Sequence, residues 1–283
     1  MGECRKTDWL RDRRDFIVKN IVKNFIRSYA VSINIKDRFE NNGLKYEGFD
    51  RWVGSQENRG LLWVLKDDCH RLWKDVDLQS NSEAFFFDWT IGAIFHEAMK
   101  LKESVYLIHR YQPVLETARN SVEHCSAQYR NFFSQVQDDA ANCIERLSFL
   151  FPKAAQYLRS FMMHEKDNSI LVRFIIKKEE TIQKILGRNQ DGNTVLETMF
   201  PEGLERAYCM AGEHYLEGSW FSEARSAFEK ALEIDSRCHQ ARSGLCILER
   251  RIKDLIVGIE KECAIAQRHR DQNEIYLNNS KSV

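Results

Sequence analysis

Apolar residues recur every three or four positions over most of this chain and almost never alternate strictly. That spacing predicts amphipathic helices rather than strands. Over residues 8–39, Ile17, Val18, Ile21, Val22, Phe25 and Tyr29 make one stripe, with Lys19, Lys23 and Arg27 on the other face. Asn41, Asn42 and Gly43 should end this helix, and 44–58, with Gly48 and Gly54, reads as a loop that tucks in Phe49 and Trp52. A second helix is expected over 59–76, built on Leu62, Leu65, Cys69, Leu72 and Val76, with Trp63 and Trp73 beside the stripe. Ser80, Asn81 and Ser82 then break the chain and offer an N-cap. The third helix, 82–110, is apolar nearly all round. Phe87, Ile91, Ile94, Ala98, Leu101, Val105 and Ile108 form one seam; Phe85, Trp89, Phe95, Met99 and Tyr106 form another. Such a helix belongs at the centre of its domain, and Pro113 marks its boundary.

The longest regular pattern spans 115–150. Leu115, Ala118, Val122, Cys125, Tyr129, Phe132, Val136, Cys143, Leu147 and Leu150 follow steps of three and four, with one double step over Asp139. This heptad-like seam implies packing on a neighbour at about 20° over roughly 54 Å. Pro152 suits the start of a short helix carrying Ala155, Leu158, Phe161 and Met162, and another helix is expected over 169–186. The stretch 187–193 has two glycines and no apolar residue, so it reads as a linker. The domain organisation that follows is a helical bundle over 1–186 and a second helical region over 194–283, whose last residues, 278–283, should fray.

In that second region, 207–236 has the pattern of a helical hairpin. The small residues Gly212, Gly218, Ala224 and Ala231 fall where two helices must touch, and Tyr208, Tyr215, Phe221 and Phe228 fill the space around them. Residues 205–238 resemble one tetratricopeptide repeat, a 34-residue helical hairpin. Tyr208, Ala211, Gly212 and Tyr215 take the family's first-helix positions; Ala224, Phe228 and Ala231 take those of the second helix. Ser236 stands where the family usually has proline. The next 34 residues keep Leu245 but put Cys246, Glu249 and Glu262 at other repeat positions, so the resemblance covers about an eighth of the chain. A lone repeat cannot bury its own faces, so this hairpin must lean on the helices around it, on another subunit, or on both. In the family, the first helix of each repeat lines a groove for a peptide or helix. Carried onto this chain, the resemblance implies that Arg206, Cys209, Glu213 and Leu216, with Gln240, Ser243, Ile247 and Arg250 from the following helix, face a protein partner.

Composition narrows the function classes. Of 283 residues, 43% are hydrophobic, enough for a core, and only 3 are proline and 13 glycine, which suits long helices and disfavours an all-β chain. Lys+Arg and Asp+Glu number 42 each, so no chain-wide attraction to nucleic acid is expected. Residues 5–27 carry an excess of bases, yet Asp8, Asp12 and Asp15 interleave with them, which favours a solvated helix face over a membrane or nucleic-acid surface. The first ten residues lack the apolar core of a signal peptide, and no run reaches the length of a membrane span. The 8 cysteines form no C-x-x-C pair and no zinc spacing; they read as reduced core residues of a cytoplasmic protein.

Candidate chemistry is sparse. His96 and Glu97 precede Lys100 and Glu103, but Lys100 stands where a zinc-binding H-E-x-x-H helix needs its second histidine. Asp67-x-x-His70 is only a loose relative of the di-iron Glu-x-x-His pair. His96 is therefore expected as a structural, hydrogen-bonded bundle residue, and a metal-binding or enzymatic bundle centred on His96 and Glu97 is the alternative. No phosphate loop or nucleophile elbow occurs, and Cys209 and His214 are spaced too poorly on one helix to form a nucleophile pair. The sequence thus predicts an all-α, non-catalytic adaptor or scaffold with no cofactor and no metal. A homo-oligomer is one way to cover its faces.

Overall fold

A computed structural model describes residues 2–42, 56–75, 82–120 and 127–280, with the side chains nearest several of these ends left undescribed. All of its regular structure is helical, and no strand occurs among the described residues. The expected loop with Phe49 and Trp52, the Ser80-Asn81 break, and the seam positions Val122 and Cys125 lie outside the described residues. The chain divides into two compact units, Met1–Met199 and Phe200–Val283.

The first unit is a bundle of four long helices: α1 (Gly2–Asn42), α2 (Gln56–Asp75), α3 (Ser82–Asn120) and α4 (Ala127–His164). Their main contacts close a ring in the order α1–α2–α3–α4–α1. Each helix turns its apolar stripe inward: Val18, Ile21, Val22 and Phe25 of α1, Leu65 and Leu72 of α2, Ile91 and Ile94 of α3, and Phe151 and Leu158 of α4 are all buried. Phe25 is the hub: its ring lies 5.8 Å from Tyr29, 5.8 Å from Phe87 and 5.9 Å from Phe151. Two shorter helices, α5 (Ser169–Lys177) and α6 (Glu179–Leu186), pack against α1, and the one-turn α7 (Val195–Met199) packs against α4, α5 and α6. Asn168 caps α5 by accepting a hydrogen bond from the Leu171 N–H at 2.9 Å. Buried Glu165, just before it, is ion-paired with Arg14 of α1.

Several sequence expectations are corrected. Pro113 and Pro152 sit inside α3 and α4 instead of bounding them. Both lie on the exposed side of their helix, where water can take over the hydrogen bond that proline cannot make. The 115–150 seam is divided between the end of α3, at Asn120, and α4, which begins at Ala127, and its members Tyr129 and Phe132 are exposed. α3 is not central: its first seam is buried except for half-buried Ala98, but Phe85, Trp89, Met99 and Tyr106 of the second are exposed. A ring of four helices gives each member two neighbours, which leaves the outer face of α3 open.

The expected linker at 187–193 is an ordered turn of the first unit. Gly187 and Gly192 take positive φ values of 67° and 81°. The Asn189 N–H donates to the Asn193 carbonyl at 2.9 Å, and the Asn193 N–H donates to Asn189 Oδ1 at 2.7 Å. A capping box follows, in which the Thr194 N–H donates to Glu197 Oε2 (2.6 Å) and the Glu197 N–H donates to Thr194 Oγ1 (3.2 Å). The division therefore falls after Met199 and not at 187–193, and α7 belongs with the bundle.

The second unit comprises α8 (Leu204–Glu217), α9 (Phe221–Ile234) and α10 (His239–Ser280). All three pack on one another. The core is Phe228 with Ala224, Ala231, Ala241, Leu248 and Leu216. A Cβ built on Gly212 would stand 2.6 Å from the Phe228 ring, and one on Gly244 only 2.4 Å. The two glycines let α8 and α10 close on the same ring from either side. Gly218, expected among the contact residues, is instead exposed at the end of α8, where a Cβ would meet nothing nearer than 3.4 Å.

Candidate interaction surface on the C-terminal helices

The second unit carries the eight residues that the repeat resemblance singled out. Arg206 and Glu213 are exposed on α8; Gln240, Ser243, Ile247 and Arg250 are exposed along one side of α10, at steps of three and four. Gln240 Nε2 donates to Glu213 Oε1 at 2.9 Å, which joins the two helices at the surface. Arg206 is turned toward the approach to its own helix and pairs with Glu202 at 2.8 Å.

Cys209 and Leu216 are corrected: both are buried. They share the face of α8 that carries Gly212, at i−3 and i+4, and that face is the one that closes on Phe228. The Cys209 sulfur lies 3.5 Å from that of Cys238. Burial, followed by the neighbouring Cys238 sulfur, pushes the Cys209 thiol up to about 12.

Two residues that hold this unit together were not legible in the sequence. Gly244 was hidden because the repeat register places a glycine at position 246, which is Cys246 here. Arg251 reaches back to donate to the Leu216 carbonyl at 3.0 Å, satisfying a carbonyl at the end of α8. A basic residue one helix away from a helix C-terminus leaves no local sequence signal.

Beyond Ile252, every described side chain of α10 from Lys253 to His269 is exposed. The line that packs on the hairpin, Leu245, Leu248 and Ile252, continues at the same three- and four-residue steps through Leu255, Ile259 and Cys263 to Ala266. Leu255, Ile256 and Ile259 are 49%, 52% and 53% exposed. The helix thus carries its apolar face well past the hairpin it packs against.

The other candidate centre lies between α3 and α4. His96 is not a buried bundle residue: its side chain is 66% exposed, while Glu97 beside it is buried. The inner seam of α3 runs through Ile94, Ala98 and Leu101, so position 97 falls at its edge and 96 on the outer face with Phe85 and Trp89. Glu97 Oε1 is 3.3 Å from Arg146, 3.7 Å from His96 and 3.9 Å from Lys100. Burial and the adjacent Glu97 push the Cys143 thiol up to about 11. A cleft of about 480 Å³ opens here, lined by three acids (Glu97, Glu103, Asp139) and two bases (Lys100, Arg146). Its charges largely answer one another. Among the described residues no three His, Cys, Asp or Glu side chains are placed to share a metal ion, and no helix is long and apolar enough to cross a membrane.

No protein family matches the chain, and neither a curated protein nor a solved structure is significantly similar to it.

Proposed function

We propose that this chain is a non-catalytic adaptor that binds a protein partner along its C-terminal helical unit, in the cytoplasm. The observation that supports this reading is the apolar face of α10, which continues beyond the hairpin as exposed Leu255, Ile256 and Ile259. An ordered run of exposed aliphatic side chains, flanked by charge, suits burial against another polypeptide. The resemblance to a repeat that receives peptides or helices points the same way. A partner helix lying along α10 would bury the aliphatic line and meet Ser243, Ile247 and Arg250 nearer the hairpin. Arg250 would fix its orientation by a charge-assisted contact. Neither nucleic acid nor a membrane is required.

The test compares the full-length chain with the variant Leu255→Glu/Ile259→Glu in affinity capture and sedimentation. The expected outcome is at least a tenfold loss of partner recovery with unchanged helicity. Concentration-dependent sedimentation lost in the variant would make a second copy of the chain the partner. Equal recovery from both proteins, insensitive to the substitutions, would overturn the reading.

A further inference from the structure

Cys209 lies in the middle of α8, and Cys238 ends the turn that leads into α10, yet their sulfurs are 3.5 Å apart. The geometry points to an oxidation site at this pair: hydrogen peroxide joins Cys209 and Cys238 in a disulfide that ties α8 to the head of α10. The two cysteines are 29 positions apart in no recognisable motif, so nothing in their spacing announces the site. The other described cysteines are dispersed: Cys69 and Cys143 are buried in the bundle, and Cys246 and Cys263 are exposed on α10.

The surroundings set the order of events. Cys209 is fully buried, whereas Cys238 is partly exposed and meets the oxidant first. The Cys238 thiol attacks the peroxide, the O–O bond breaks, and a sulfenic acid and one water form. The Cys209 sulfur then attacks the Cys238 sulfur. The S–S bond forms, the S–O bond breaks, and hydroxide leaves as water with the Cys209 proton. Overall, two thiols are oxidised and one peroxide is reduced to two waters. A thiol held as high as that of Cys209 reacts slowly in free solution; here the electrophile is delivered to van der Waals distance, which offsets that disadvantage.

Bonding requires the sulfurs to close by about 1.5 Å, to the disulfide length of about 2.05 Å. Cys238 belongs to the turn between α9 and α10, not to a helix interior, so the turn can take up the shift. Its own tethers are the Cys238 N–H donating to the Asp235 carbonyl and the Arg242 N–H donating to the Cys238 carbonyl, at 3.0 and 3.3 Å. The bond would fix the separation of α8 and α10 beside the Glu213–Gln240 contact. The inference does not depend on a protein partner.

The experiment uses the full-length reduced protein, titrated with hydrogen peroxide, quenched with N-ethylmaleimide and digested without reductant. The expected product is a Cys209–Cys238 linked peptide pair, two hydrogens lighter than the separate peptides. It should form at least tenfold faster than any disulfide containing Cys246 or Cys263 and vanish with dithiothreitol. Cys238→Ser, at a partly exposed position, should abolish the link. In the oxidised wild type, a protease cut between Glu217 and Phe221 should leave one covalent species until reduction. Cys209 surviving as a free thiol at doses that oxidise Cys246 and Cys263 would overturn the inference, as would Cys238 passing on to a sulfinic acid.

Discussion

The two units hold their helices together by opposite means. In the bundle, Phe25 touches three other rings, and Phe87 stacks in turn on Phe161 at 6.2 Å, so the core is a web of large side chains. In the C-terminal unit one ring, Phe228, is gripped between Gly212 and Gly244. A web can shift to fill a gap. A ring seated against backbone on two sides cannot, and the difference should appear in how each unit answers mutation.

The largest effect is expected from Phe228→Ala. Truncating a buried phenylalanine costs about 3–5 kcal/mol, a large share of a small unit's stability. Amides of α8, α9 and the first turns of α10 should lose hydrogen-exchange protection while those of α1 and α4 keep theirs. Phe25→Ala should fall at the lower end of that range, because its neighbouring rings can move in. Equal losses would break the comparison. Gly244→Ala sharpens it, since the added methyl meets the Phe228 ring and should destabilise by about 1–3 kcal/mol. Gly92→Ala, with nothing within 4 Å of the added Cβ on α3, should instead stabilise by about 0.5–1 kcal/mol. Urea midpoints moving in opposite directions are the expected result.

The smallest effect tests the polar side of the bundle. Burial raises the Glu165 carboxyl above its ordinary value, against the opposing pull of Arg14. The folded state then holds this proton more tightly than the unfolded chain does. Its contribution therefore favours folding below the ordinary carboxylate pKa and falls as pH rises through the raised one. Between about pH 4 and pH 7, the melting temperature of Glu165→Gln relative to wild type should rise with pH. A constant difference would place the raised proton affinity elsewhere.

The hairpin was legible in sequence because its contacts are local: Gly212 and Phe228 belong to adjacent helices with one allowed way to close. Gly244 was not, because it approaches the same ring from a third helix, outside the repeat's register. Helix phases were readable along α1 and α2, but which of two apolar seams on α3 would be covered was not. That choice is made by the number of neighbours, which periodicity does not encode. The same holds for His96 and Glu97, adjacent in sequence and opposite in burial. Glycines 187 and 192 looked like freedom and instead serve a closed turn, because the Asn189 side chain accepts from the Asn193 N–H across it.

α10 runs unbroken from His239 to Ser280, and its root is clamped where Gly244 meets Phe228. From Ile252 to its end it extends about 42 Å at 1.5 Å per residue. A tilt of about 5° at the clamp therefore swings the tip through about 4 Å. The snugness of one glycine against one ring sets the aim of the whole arm.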